Sequence, residues 1–229
     1  MKFENNKNNM GLNMKYFSFF LLGLFNIALA QSEAETKPFS KISYGFFGGI
    51  NACDFSNLGA DFSIELNSNL AENFNLLINI GYSKIIEPLS YTVKINSVFE
   101  YDNITYYQAE SYDVINHNYG IFPLAIGCKY IYTLKTFSPY LISAISYNLI
   151  DAKTEKSPST VWSYDSYEEI PDEFKNNIEV KLPNNSFNIS IGAGTVLSLT
   201  KSINIDLRYI YKIDSEIVNT HHINVGFIF

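Results

Sequence analysis

The chain finishes on a strongly alternating segment. From His222 to Phe229, Ile223, Val225, Phe227 and Phe229 fall on one face, and His222, Asn224, Gly226 and Ile228 fall on the other. A period of two is the signature of extended backbone. A strand with one unbroken apolar face and an aromatic last residue is the expected closing strand of a membrane β-barrel.

The same period recurs seven more times, over residues 41–51, 59–68, 74–86, 119–132, 139–149, 187–199 and 203–213. In each, one face is apolar and aromatic (Phe62, Ile64 and Leu66; Ile78, Ile80 and Tyr82; Leu207, Tyr209 and Tyr211) and the other is small or polar. Segments of about 9–11 residues cross a bilayer when tilted. Single-chain bacterial barrels close with an even number of strands. The connections alternate in length: 69–73, 133–138 and 200–202 are short, whereas 87–118 and 150–186 are long. Short turns at one end and long loops at the other distinguish a membrane barrel from a soluble one, whose apolar face would line the inside. The expected fold is all-β: an eight-stranded antiparallel up-and-down transmembrane β-barrel with two long extracellular loops and periplasmic termini. Within the first long loop, two further alternating runs flank Asp102-Asn103, a turn dipeptide. The third and fourth strands are therefore expected to rise beyond the membrane as a tall hairpin.

The amino-terminal end fits the same compartment. Lys15 precedes an apolar run from Tyr16 to Leu29, and Ala28, Leu29 and Ala30 form a small-x-small site before polar Gln31. This is the layout of a secretory signal, too short for a spanning helix. The expected organisation is a signal peptide over 1–30, with Met14 an alternative start, a short periplasmic segment over 31–40, and the barrel over 41–229. No later apolar run is long enough for a transmembrane helix, although 16% of residues are aromatic. A net charge of −7 argues against a nucleic-acid partner. Cys53 falls in a loop and Cys128 inside a strand, so two separate thiols are expected rather than a disulfide.

The polar faces gather one cluster. Asp61, Glu65, Lys129, Asp206, Arg208 and Lys212 should all point into the lumen, where an eight-stranded barrel is just wide enough for side chains to fill. Charges held there must be paired. Paired, they form a plug; imperfectly paired, they line a narrow polar conduit. The second and seventh strands are not neighbours, so any pairing between them crosses the lumen. The long loops carry Tyr101, Tyr106, Tyr107, Tyr112, Trp162, Tyr164 and Tyr167, aromatic candidates for contact with an extracellular protein or surface ligand. Against these stands the plainer reading of interfacial tyrosines beside a solvated acidic run.

Catalysis is not expected. The histidines are His117, His221 and His222, the last two pointing to opposite faces, with no Ser in an obvious partner position. Neither a metal set nor a cofactor motif stands out.

The chain resembles the eight-stranded outer-membrane β-barrel (porin family, PorT-like) proteins of Bacteroidetes. The resemblance runs from about Ile42 to Phe229. It is carried by Tyr44-Gly-Phe-Phe-Gly-Gly-Ile50, Phe122-Pro-Leu124, Phe137-Ser-Pro-Tyr140, Gly192-Ala-Gly194, Ile205-Asp-Leu-Arg-Tyr209 and the terminal Phe229. It implies the outer membrane of a Gram-negative bacterium, lipid as the surrounding partner, and an assembly signal in Phe227 and Phe229 read by the barrel assembly machinery. The expected function is a monomeric, non-enzymatic barrel with a structural, adhesive or partner-binding role through its loops. The alternatives are a narrow pore for ions or small solutes, a secretion-system component, and, less favoured, a lipid-modifying enzyme.

Overall fold

The computed structural model describes residues 42–53, 57–132, 134, 137–175, 181–200 and 203–229. The signal peptide expected over 1–30 and the short segment expected over 31–40 lie outside them. Among the described residues there are nine strands: β1 (Ile42–Ala52), β2 (Gly59–Ala71), β3 (Phe74–Tyr101), β4 (Ile104–Ile131), β5 (Phe137–Lys156), β6 (Thr160–Tyr164), β7 (Asn185–Ser198), β8 (Asn204–Asp214) and β9 (Thr220–Ile228). One short helix, α1 (Asp172–Lys175), sits between β6 and β7.

Eight of the strands close a barrel in which each pairs antiparallel with its neighbours in the chain, and β1 pairs with β9. The seam is finished by Phe229, whose N–H donates to the Tyr44 carbonyl at 2.8 Å while Tyr44 N–H donates to the Phe229 carbonyl at 3.1 Å. The rings of Phe46 and Phe229 meet edge-on outside it.

The pleat sorts the side chains as the alternation predicts. Ile64, Ile78, Ile126, Leu141, Leu207 and Val225 all point outward and are exposed, which only a lipid surrounding satisfies. Aromatic pairs mark both rims of this belt. Phe74 lies against Tyr130 at the end with the short turns, and Tyr82–Phe122 and Tyr147–Phe187 lie at the other end. Closure leaves no free edge for Pro123, which lacks an N–H. The β3–β4 ladder accordingly lapses between Ile80↔Leu124 and Ser83↔Ile121.

The interior is less polar than the alternation suggests. Leu77, Tyr140, Ile142, Ala144 and Ile210 form a buried apolar cluster on one side of the lumen. A second cluster of Ile85, Tyr119, Ile121 and Ile150 fills the mouth at the long-loop end, with Ile217 and Val218 of the β8–β9 loop packed onto it. A barrel this narrow has a packed interior, and aliphatic side chains share that task with the charges.

β3 and β4 run on past the barrel to Asp102 and Asn103, both in the left-handed region (φ 52° and 58°) that a two-residue hairpin turn demands. Where they leave the barrel, register shifts occur between Pro88 and Tyr91 and between Val114 and Asn116, so the hairpin can bend away. β6 adds a third strand to β4, from Tyr107↔Tyr164 to Ser111↔Thr160. The second long loop is thus folded onto the first. Ala109, Ile170 and Phe174 form its core with Tyr107 and Tyr164 alongside, Trp162 meets Phe174 edge-on, and Lys94 bonds Glu173 at 2.7 Å. Phe174→Ala is expected to release residues 165–175 from this sheet. Limited proteolysis should then cut there several-fold faster, while the barrel keeps its heat-modifiable migration on gels.

Candidate functional site

Two places collect functional chemistry: the lumen, and the sheet beyond the barrel mouth. In the lumen, Glu65 of β2 accepts from Lys129 of β4 and from Arg208 of β8, the latter at 2.6 Å, across the barrel. Asp206 stands 3.5 Å from the Lys129 ammonium and accepts from the Tyr140 hydroxyl at 2.5 Å. The Phe47 ring lies under the Arg208 guanidinium at 3.5 Å, and Tyr140 lies under Lys129 at 4.9 Å. These four charged side chains are buried, and their charges sum to zero.

Asp61 joins a different set. It accepts from Asn51 at 2.9 Å and Ser83 at 2.5 Å, and it pairs with His222 Nδ1. The other ring nitrogen, His222 Nε2, is 2.7 Å from the Thr220 hydroxyl. Sequence reasoning placed His222 in the lumen but did not foresee this chain. Its signal was available: Thr220 and His222 share one face of β9, and the β1 residue paired with Asp61 is a glycine. Gly49 of β1 pairs with Asp61 on one side and Asn224 on the other. A Cβ there would come within 2.3 Å of the Ile223 carbonyl and 2.9 Å of Asn224 Cα. With nothing on Gly49, side chains of β2 and β9 meet over the top of β1.

A hydroxyl–imidazole–carboxylate chain has the composition of a nucleophilic triad. Thr220, however, is 2% exposed and borders a cavity of about 10 Å³ capped by Ile217 and Val218. That space suits one water. The chain ties β9 to β2.

Lys212 lines a second cavity of about 50 Å³ with Asp61, Glu65, Arg208 and Asn224, and makes no ion pair among the described residues. Arg208 Nε and Asn224 Oδ1 face the same space with no hydrogen-bond partner among the described residues. The cavity has room for roughly three or four waters. The lumen therefore runs from a charged closure near the termini, through a small polar chamber, to an aliphatic cap.

Beyond the mouth, the pleat divides the seven loop aromatics. Tyr107, Trp162 and Tyr164 lie on the face covered by residues 165–175, where Tyr167 receives the Lys175 ammonium at 5.7 Å. Tyr101, Tyr106 and Tyr112 lie on the opposite, open face. Phe99, absent from the sequence-based candidates, stacks on Tyr106 there with centroids 5.4 Å apart, and Ile104 and Val161 extend the apolar surface. Tyr101 is 72% exposed. Tyr112 is partly taken by Lys156, whose ammonium lies 4.1 Å from the ring centroid. Cys53 Sγ donates to the Ile86 carbonyl at 3.3 Å, whereas Cys128 lies within β4.

No family model matches the chain, and no curated protein is similar to it. Among solved structures, the amino-terminal β-barrel domain of Pseudomonas aeruginosa OprF aligns with 84% of this chain and all of that domain, at 11% identity and a TM-score of 0.42. Neisserial surface protein A aligns over 82% of this chain and 94% of its own, at 10% identity and a TM-score of 0.44. Ail of Yersinia pestis, in complex with the heparin analogue sucrose octasulfate, aligns over 85% and 100%, at 11% identity and a TM-score of 0.40.

Proposed function

We propose that this chain is a non-enzymatic, monomeric surface protein of a Gram-negative outer membrane, acting through the sheet that stands beyond its barrel. One observation carries the reading. The β3–β4–β6 sheet has a packed face and an open face, and the open one presents Phe99, Tyr101, Ile104, Tyr106 and Val161 outside the lipid belt. Rigid aromatics on a preformed sheet make contact area at low entropic cost. The partner is a protein or surface ligand on the outside. Termini in the periplasm, a cleaved signal over 1–30, membership of the PorT-like group, and recognition of Phe227 and Phe229 by the assembly machinery belong to the same reading.

Two experiments test it. An epitope inserted between Asp102 and Asn103 should be bound by antibody on intact cells; labelling only after permeabilisation would reverse the orientation. A Phe99→Ser, Tyr101→Ser, Tyr106→Ser variant should assemble normally yet lose the binding of the cells to other surfaces. Unchanged binding would reject the sheet as the functional surface.

The narrow-pore reading has one observation in its favour, the polar chamber behind the charged closure. The buried Glu65–Lys129–Arg208 contact opposes it. In planar bilayers the native chain is expected to be silent. Steady single channels that vanish in Arg208→Ala would overturn the plug and establish a conduit.

A further inference from the structure

On the outer wall of the barrel, the apolar belt stops at one level across three strands. Outward positions read Ile80, Tyr82 and then Lys84 on β3; Leu124, Phe122 and then Gly120 on β4; Tyr147, Leu149 and then Asp151 on β5. The register joins Lys84 to Gly120 and Gly120 to Asp151, so these three positions form one line above Tyr82, Phe122 and Leu149, with Ile86 the next outward residue on β3. Above that line the three strands do not end. They continue as a wall, and a groove of about 470 Å³ lies against it.

The groove's lining is mixed in charge. Lys84, Asp151, Lys153 and Glu155 surround it with the amides of Asn57, Asn116 and Asn118, and Tyr82, Ile86 and Gly120 supply its apolar part. Gly120 keeps that part open: a Cβ there would lie 3.2 Å from the Tyr82 hydroxyl. Lys84 has no ion-pair partner among the described residues. Lys153 reaches only the exposed Asp151, at 3.4 Å, and Glu155 accepts from Asn116 at 2.7 Å. A space of this size falls in the ordinary range of ligand sites, roughly 300–1,000 Å³.

We propose that this groove binds the phosphorylated sugar headgroup of a lipid in the surrounding leaflet. Three features select that occupant. The groove opens directly onto the belt, so acyl chains can lie along Ile80, Leu124 and Tyr147 while the headgroup is held above Tyr82. Two ammonium groups meet phosphate as point charges. Two carboxylates and three amides suit sugar hydroxyls, and the carboxylates weaken the site for a bare phosphate ion. The proposal rests on the barrel spanning a bilayer, which heat-modifiable migration reports independently of lipid binding.

The full chain is refolded into nanodiscs of phosphatidylcholine alone, or of phosphatidylcholine with a diphosphorylated glucosamine lipid, and lipid retained after extraction is read by native mass spectrometry. Preferential retention of the phosphorylated glycolipid is expected, reduced roughly tenfold in a Lys84→Glu, Lys153→Glu double variant. Lys181→Glu, which alters a lysine outside the groove, should not reduce it. Equal retention of both lipids, or a double variant that retains glycolipid normally while migrating as a folded barrel, would overturn the site. Displacement of the glycolipid by inorganic phosphate at matched concentration would overturn the lipid as its source. A double variant that fails to fold is replaced by Lys84→Gln with Lys153→Gln, read in the same way.

Discussion

Glu65→Ala is expected to lower the stability of the barrel by about 3–5 kcal/mol, the usual consequence of removing one partner from a buried ion network. Glu65 is 1% exposed and, among the described residues, is the only carboxylate touching both Lys129 and Arg208. Without it, two cations are left in a narrow interior with Asp206 alone, 3.5 Å from Lys129. The Phe47 and Tyr140 rings offset part of the loss, since each already faces one of the cations. Urea titration in lipid vesicles, followed by the folded and unfolded bands on gels, measures the difference. A control separates removal of one partner from removal of the set: apolar residues of similar volume at Glu65, Lys129, Asp206 and Arg208 together should cost less than Glu65→Ala alone. If the single change moved the midpoint by less than about 1 kcal/mol, the network would be wet and weakly coupled, and the plug would fail as an explanation.

Ile126→Arg carries the second large effect, and it tests the outer face. Ile126 lies midway between Phe122 and Tyr130 and pairs with Ile78 on one side and Ile145 on the other, all pointing outward. An arginine at the bilayer midplane of a barrel costs about 2–4 kcal/mol. The same titration should show that loss, whereas Ala125→Ser, one residue along and facing the polar chamber, should change the midpoint by less than about 1 kcal/mol. An arginine tolerated at Ile126, with protein released into the aqueous fraction, would mean that this face meets water.

The barrel was legible in the sequence because its rule is local. Each outward residue must be apolar and each neighbour need not be, so Phe62-Ser-Ile64 or Leu207-Arg-Tyr209 states its orientation without reference to any distant segment. Connection lengths then gave the order of strands, and Asp102-Asn103 gave the hairpin tip. The lumen was only partly legible. Alternation placed Glu65, Lys129 and Arg208 inside, yet which charge meets which depends on the stagger between strands, and no single strand encodes that. The share taken by Leu77, Ile142 and Ile210 escaped for a related reason, since an inward aliphatic breaks the alternation it would be read from. The loop aromatics show the same limit: Tyr106 and Tyr107 are adjacent in sequence, and only the covering segment at Ile170 and Phe174 decides that one is open and the other packed.

The bare position at Gly49 also bears on how the chain assembles. Glu65 and Arg208 lie 143 residues apart, and Asp61 and His222 lie 161 apart, each pair bridging the early strands to the last. Neither contact exists while the sheet is open, so the early carboxylates stay hydrated until β8 and β9 arrive. Dehydration of the interior and sealing of the seam then become one event. A slip of one residue that set Ile223 in place of His222 would bring an apolar side chain to Asp61 instead of an imidazole, and would leave a bare carboxylate in a drying lumen. The arrangement thus penalises that slip of the final strand before the barrel is complete.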